Sequence, residues 1–591
     1  MPSRPRGRAV FAALLLIAMP TLAHAGPAED LAKLSDEFWQ GALRANPTQA
    51  TSLGDHRYDD QLDDNTPAGV AKEHKRLEGV EARARAIDEK ALSPGDQVTR
   101  SALLLEVRNE MDTMDCHFEE WLVDPRSGPQ TDFMSLPDVT AIITPEDADH
   151  YVARVRKMAP YVDHVIENLK RGLKAGKYGT HSGVDAVLDQ LDSLAAHPVD
   201  RWELSTPATA SHGDWSSAQK VHFGDALHEA LEKEVKPAFL RYRDFVRSKV
   251  VPVARAQDHV GLSEVPGGRE AYLKRIRIET SLDRTPEQLH QLGLEQVARV
   301  RKELSELGAK ALGTSDLTEI QKKLRNDPAM RFSTADEVEN KARTTLAKAK
   351  AAIPNYFGVL PKADCEVKVM GMFEAPYSTI AYYREGAADG SRPGYYMINT
   401  YKPETRPRYD AEVLAYHESI PGHHLQIAIA QELTGIPEFR KHLGVTSYVE
   451  GWALYTERLA DEMGLYSTDL DRIGMLSFDA WRDCRLVVDT GIHAMGWSRQ
   501  QAIDYMMQNT VLAENNIVNE VNRYIGDPGQ ALAYKLGQLE ILSLRDEGKK
   551  RLGDKFDLKK FHDVVLQNGA VALPVLRQQV EGWYAQVEGA K

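Results

Sequence analysis

The chain has 591 residues, with 87 acidic and 73 basic side chains and a formal net charge of −14. An acidic surface of that kind argues against nucleic acid and anionic lipid as partners. Three cysteines, Cys116, Cys365 and Cys484, exclude a disulfide framework and a four-cysteine zinc site, and no two of them stand at ligand spacing.

Residues 1–25 read as a secretory signal peptide. Arg4, Arg6 and Arg8 come without an acid, Ala9 to Met19 is apolar and uncharged, and Ala23-His24-Ala25 puts small residues at a cleavage site. The apolar run is too short to span a bilayer, and no cysteine lies near residue 25 to carry a lipid anchor. The expectation is an exported protein, periplasmic or secreted, with no membrane insertion once the signal is removed. The remaining length exceeds a typical single domain and predicts two lobes. The boundary falls at the Val265-Pro266-Gly267-Gly268 loop, giving an N-terminal helical lobe over 26–264 and a catalytic lobe over 265–591.

Most of the chain has helical periodicity. Leu31, Leu34, Phe38 and Leu43 mark a first helix that Asn46-Pro47 ends. Residues 68–120 read as two charged helices broken at Ser93-Pro94-Gly95, and 145–175 and 220–250 are similar. Thr285-Pro286-Glu287 starts a helix, with Thr285 as cap and Pro286 in the first turn, running to about Leu312. From Glu366 to Tyr401 the pattern changes to strands: Val367–Met370 alternates, and Tyr377–Tyr383 and Gly394–Thr400 are β-branched and aromatic. An edge strand here could offer backbone groups to an extended peptide, with Tyr396 and Asn399 as candidate substrate contacts.

Next comes His417-Glu418-Ser419-Ile420-Pro421-Gly422-His423-His424, a broken form of His-Glu-x-x-His. Imidazoles are the commonest neutral zinc ligands, and the neighbouring carboxylate is the usual base for a zinc-activated water. Helical periodicity runs from Asp410 to Leu433, and ligands four apart would share a face. Position 421, however, is proline. His423 is then off-face in an ideal helix, and His424 is on-face but about 10 Å along the axis. A Pro-Gly break that absorbs two residues brings His423 to the second ligand position. His424 is the alternative ligand or an orienting group. A third ligand is needed. Glu450 begins a helical Glu-Gly-Trp-Ala-Leu-Tyr segment among apolar neighbours, so its carboxylate is expected to be buried and partnered. Glu457, two turns on, is the alternative ligand, or else a salt-bridge partner or a group that orients a ligand.

The run from His417 to Gln426 resembles the His-Glu-x-x-Pro-Gly-His-His-Leu-Gln hallmark of the bacterial domain-of-unknown-function 885 family. Asn46-Pro47 with Leu53-Gly54, Val265–Gly268, Glu450–Tyr455, Asp489–His493 and Pro528–Tyr534 are similar to its other signatures, so the resemblance covers nearly the whole chain after the signal. At fold level that family resembles zinc peptidases with a glutamate ligand, such as thimet oligopeptidase and angiotensin-converting enzyme. The resemblance implies a mostly α, two-lobed zincin-like shell around a deep cleft, with a small β-sheet next to the zinc helix. It also implies a histidine and a tyrosine from downstream helices as oxyanion stabilisers, which by position and motif are His493 and Tyr534.

The expected chemistry is hydrolysis of a peptide bond with Zn2+ held by His417, His423 and Glu450. Glu418 takes the water's proton and passes it to the leaving amine. Arg485 and Arg545 are candidate partners for a substrate carboxylate. The same residues would also suit a zinc hydrolase of a non-peptide amide or ester in a small molecule, or a non-catalytic metal- or peptide-binding protein. Glu418 beside the ligands favours catalysis, because a binder has no use for a base.

Overall fold

The structure, a computed structural model of the chain, describes residues 26–372, 375, 379–386 and 392–589. The signal-peptide reading of 1–25 lies outside them, as do Tyr377 and Ser378 at the start of one expected strand. Among the described residues helices dominate, one three-stranded sheet interrupts them, and no helix is long and apolar enough to cross a membrane.

Local signals set most helix ends. Pro27–Ala45 buries Leu31, Leu34, Phe38 and Leu43, the residues whose spacing marked it, and Pro47 opens the next helix. Pro67–Ala86 and Pro94–Asp115 each start with a hydroxyl cap, Thr66 or Ser93, followed by proline. Their apolar faces share a core with Phe439 and Leu443 from far along the chain. A second core, Val123 to Val250, is built around Pro145–Lys174. Trp121, Leu262 and Val265 pack with Leu486, Leu532 and Leu536, so residues on both sides of position 265 share a core.

Seven helices and the sheet frame the site. Helix α1 (Pro286–Ala311) starts at a capping box made by Thr285 and Gln288. Strands β1 (Cys365–Val369), β2 (Ala381–Arg384) and β3 (Gly394–Ile398) follow. β3 is central and pairs in parallel with β1 (Cys365↔Gly394) and antiparallel with β2 (Ala381↔Ile398), which leaves β2 at an edge. After the sheet come α2 (Ala411–Glu418), α3 (His423–Gln431), α4 (Thr446–Glu462), α5 (Asp469–Met495), α6 (Glu514–Gly526) and α7 (Ala533–Leu552).

The continuous periodicity of 410–433 is thus divided between two helices rather than carried through a bulge. Pro421 has no N–H to continue the ladder. At Gly422 the chain folds back so closely that a Cβ would lie 2.0 Å from the carbonyl oxygen of His417. The Trp452 indole N–H donates to the Pro421 carbonyl at 3.0 Å, fastening the break to α4.

α1 packs along α5, and α4 along α7. The second pair crosses on two glycines. A Cβ on Gly451 would sit 2.4 Å from Gly537 Cα, and one on Gly537 would sit 1.8 Å from the Ser447 carbonyl oxygen. Because the obstacle is backbone, the helices must part to admit a methyl. Gly451→Ala is therefore expected to destabilise the protein by about 1–3 kcal/mol, seen as a lower urea midpoint. An unchanged midpoint would mean that the crossing tolerates separation.

Candidate metal centre

The break between α2 and α3 determines which imidazoles face α4. His417 closes α2, His423 opens α3, and both Nε2 atoms point at one oxygen of Glu450. His417 Nε2 and His423 Nε2 are each 3.5 Å from Glu450 Oε2, and one ligand atom from each residue falls within 4.8 Å of the others. The two histidines are buried, and the Glu450 side chain keeps 20% of its exposure. A separation of 3.5 Å is beyond an ordinary hydrogen bond. It matches the edge of a zinc tetrahedron, since ligand atoms about 2.1 Å from a central ion lie roughly 3.4 Å apart. Glu450 Oε2 is itself buried with no hydrogen-bond partner, which is costly unless a cation or donor completes it. The residues present therefore fit a zinc ion.

The remaining groups orient this set. Glu457, one face down α4 and buried, lies 2.7 Å from His417 Nδ1. That contact places the imidazole proton on Nδ1 and turns Nε2 towards Glu450. Burial disfavours a charged His417, but Glu450 and Glu457 overcome it and carry the imidazole up to about 9. Burial would likewise raise Glu450, yet His423 and His417 hold its carboxyl well below the usual range. Two carboxylates therefore favour positive charge where the imidazoles meet. Half-buried Glu418 accepts the backbone N–H of Tyr383 in edge strand β2 at 3.0 Å through Oε2, and its charge acts on His417.

His424 faces away from Glu450. Its Nδ1 is 3.0 Å from the Tyr383 hydroxyl and its Nε2 is 3.2 Å from the Ala363 carbonyl. Burial pushes this imidazole down to about 4, so it is a neutral post between α3 and the sheet. Tyr396 is buried in β3, within the field of Glu418. The Asn399 amide nitrogen donates to the carbonyls of Ala375 and Thr379, at 2.7 and 3.0 Å, and its oxygen accepts from Tyr401. Those contacts make it a clip for the strand connections.

The two downstream candidates part company. Tyr534, at the start of α7, is buried in the field of Glu450 and accepts from Gln530 at 3.3 Å, which leaves its own proton to donate. His493 uses both ring nitrogens on the backbone: Nδ1 accepts from Leu262 N–H at 3.2 Å, and Nε2 lies 2.9 Å from the Tyr524 carbonyl. Burial holds it down at about 3. One turn earlier on α5, Asp489 accepts from the Tyr272 hydroxyl at 2.5 Å and from Gly529 N–H at 3.2 Å. The Asp489–His493 signature thus ties the loop at 262, the end of α6 and the turn before α7 to one helix face.

That clamp has a pH signature. Burial is the leading cause raising the Asp489 carboxyl to about 7, above roughly 3.9 for an unfolded aspartate. Its contribution is fully present below the lower value and is lost as pH rises through the upper one. Thermal stability is expected to fall between about pH 4 and 7, and Asp489→Asn to flatten that slope. An equally steep slope in the variant would assign the loss to another group.

The family model described as "Bacterial protein of unknown function (DUF885)" matches residues 47–580. The chain belongs to this family. No curated protein matches this DUF885 chain. Among solved structures it is similar to a "putative lipoprotein from Colwellia psychrerythraea", at 27% identity and a TM-score of 0.87, over 95% of this chain and 100% of that one. A second, "a putative lipoprotein of unknown function from Shewanella oneidensis", is 19% identical with a TM-score of 0.74, over 94% and 99%, a likeness of fold.

The DUF885 site also contains groups that the sequence reading passed over. Lys535, fully buried on α7, binds Asp483 at 2.7 Å and also Asp479, while Arg458 and Arg299 reach Asp479 from α4 and α1. This ionic knot joins the helices α1, α4, α5 and α7. Arg482, between the two aspartates, is buried beneath Trp481 and Phe478 in the field of Glu457 and Glu450. The available signal was charge at helical spacing (Asp479, Arg482, Asp483, Arg485) inside an otherwise apolar helix, which marks a buried polar face. Arg545 is committed to Glu462.

Proposed function

We propose that this protein is an exported zinc-dependent metallopeptidase, with His417, His423 and Glu450 as ligands and Glu418 as general base. The observation that carries the reading is the convergence of two imidazole Nε2 atoms on one unpartnered carboxylate oxygen, each at 3.5 Å. Two histidines and a carboxylate with Nδ1 of one histidine held by a second carboxylate is a donor set that suits catalytic zinc. Together with the small sheet beside the site, this donor set is what a glutamate-ligand zinc peptidase would use.

Zinc in such a site supplies a Lewis acid that polarises the scissile carbonyl and acidifies water. The chain's own groups do the rest. Glu418 Oε2 is held by Tyr383 N–H, leaving Oε1 to take the proton of the attacking water and return it to the leaving amine. The Tyr534 hydroxyl can donate to the developing oxyanion. β2 is an edge strand of the sheet beside Glu418, the kind of element along which an extended peptide can lie. An exported location is supported by the leader pattern of residues 1–25 and by the description of the Colwellia psychrerythraea relative as a lipoprotein. All three cysteines of this chain are buried within the fold.

The test is cleavage of a fluorogenic peptide library by zinc-loaded protein. Cleavage that a chelator stops and zinc restores is expected. Full zinc occupancy with no peptide cut would remove the peptidase reading.

A further inference from the structure

Beside the proposed metal centre, two arginines of α5 are buried without enough acceptors. Arg482 is 4% exposed, and its Nε and Nη1 have no hydrogen-bond partner; Arg485 is 2% exposed, and its Nη1 has none. No carboxylate among the described residues comes within ion-pair distance of Arg482. Glu450 and Glu457 act on it only through their field. Arg485 is held more firmly, donating from Nε to the Tyr524 hydroxyl at 2.9 Å and from Nη2 to Glu520 at 3.0 Å.

Both guanidiniums lie over the Tyr534 ring, with the central carbon 5.7 Å (Arg482) and 4.4 Å (Arg485) from its centroid. They share Trp481 as well, at 4.2 and 4.5 Å. Packed rings thus hold two like charges near each other. Arg523 adds a third cation, shared with Arg485 through Glu520. A fold keeps unmet guanidinium N–H groups in such a place at a cost of stability, and a planar anion is what their fork fits.

We infer that Arg482 and Arg485 form a subsite for a carboxylate of the substrate, next to the bond that is cut. The inference rests on the peptidase reading and deepens it, restricting substrates to peptides with a carboxylate close to the scissile bond. That carboxylate can be the C-terminus of the peptide or an Asp or Glu side chain; both present the same planar anion.

The test is calorimetric titration of the full-length, metal-free protein, in which no turnover occurs. Three probes are used: N-acetyl-trialanine, its C-terminal carboxamide, and the carboxamide with glutamate at the middle position. The free acid is expected to bind about 30-fold or more tightly than its amide, and Arg482→Gln to remove most of that preference. If only the C-terminal acid gains, the subsite takes a terminus; if the glutamate amide gains equally, it takes a side chain. Equal binding of all three probes to wild-type protein overturns the inference, whatever the variants do. A preference that survives in folded Arg482→Gln and Arg485→Gln overturns the assignment to these arginines. Neither outcome depends on zinc or on catalysis, so failure of the subsite is distinguishable from failure of the peptidase reading.

Discussion

His417→Ala is expected to take bound zinc from about one per chain to near none, read as metal per chain by mass spectrometry after dialysis. His417 faces Glu450 through Nε2 and Glu457 through Nδ1, so its loss removes a ligand and frees the carboxylate that orients it. Glu450→Ala should be as severe, because both imidazoles converge on its Oε2. His423→Ala should lose zinc while His424→Ala keeps it, since His424 binds the Tyr383 hydroxyl and the Ala363 carbonyl instead. Glu457→Gln leaves all three ligands and should weaken zinc about 10–100-fold, the usual cost of a lost orienting carboxylate. A full zinc complement in His417→Ala, or no zinc in wild type after loading, would remove the metal centre. Zinc lost from His424→Ala and kept by His423→Ala would mean that the α2–α3 break rearranges on binding.

The second large effect is on turnover alone. Glu418→Gln keeps the size and the hydrogen bond from Tyr383 N–H but cannot take a proton. Hydrolysis should fall on the order of 10²–10⁴-fold, with zinc content and melting temperature unchanged. The comparison separates the two roles proposed for the octet, metal binding by the histidines and proton transfer by the glutamate. Undiminished cleavage by Glu418→Gln at full zinc would move the base elsewhere.

Much of this protein can be read from short-range sequence. Thr285 followed by Pro286, Ser93 followed by Pro94, and the spacing of Leu31, Leu34, Phe38 and Leu43 specify helices because caps, proline and one apolar stripe act within a few residues. The strands were legible for the same reason, from β-branched and aromatic runs between glycines and prolines. The histidine octet and the Glu450 segment also stand out locally, because imidazole, carboxylate and glycine in a tight cluster have few structural uses.

Which of these groups meet is decided in three dimensions. His423 rather than His424 faces Glu450 because the chain folds back at Gly422, a close approach to the His417 carbonyl that spacing along a helix cannot reveal. His493 carries the motif of a catalytic residue, yet its two nitrogens serve Leu262 and Tyr524, partners 231 and 31 residues away. By spacing alone Arg482 is one more charge on a helix. It becomes a buried cation with unmet donors only because α4 and α7 close over α5. Helices, the small sheet and the chemical identity of the groups follow from neighbours along the chain. Which side chains face one another and which polar atoms lack a partner does not, because burial and satisfaction are set by helices that pack across hundreds of residues.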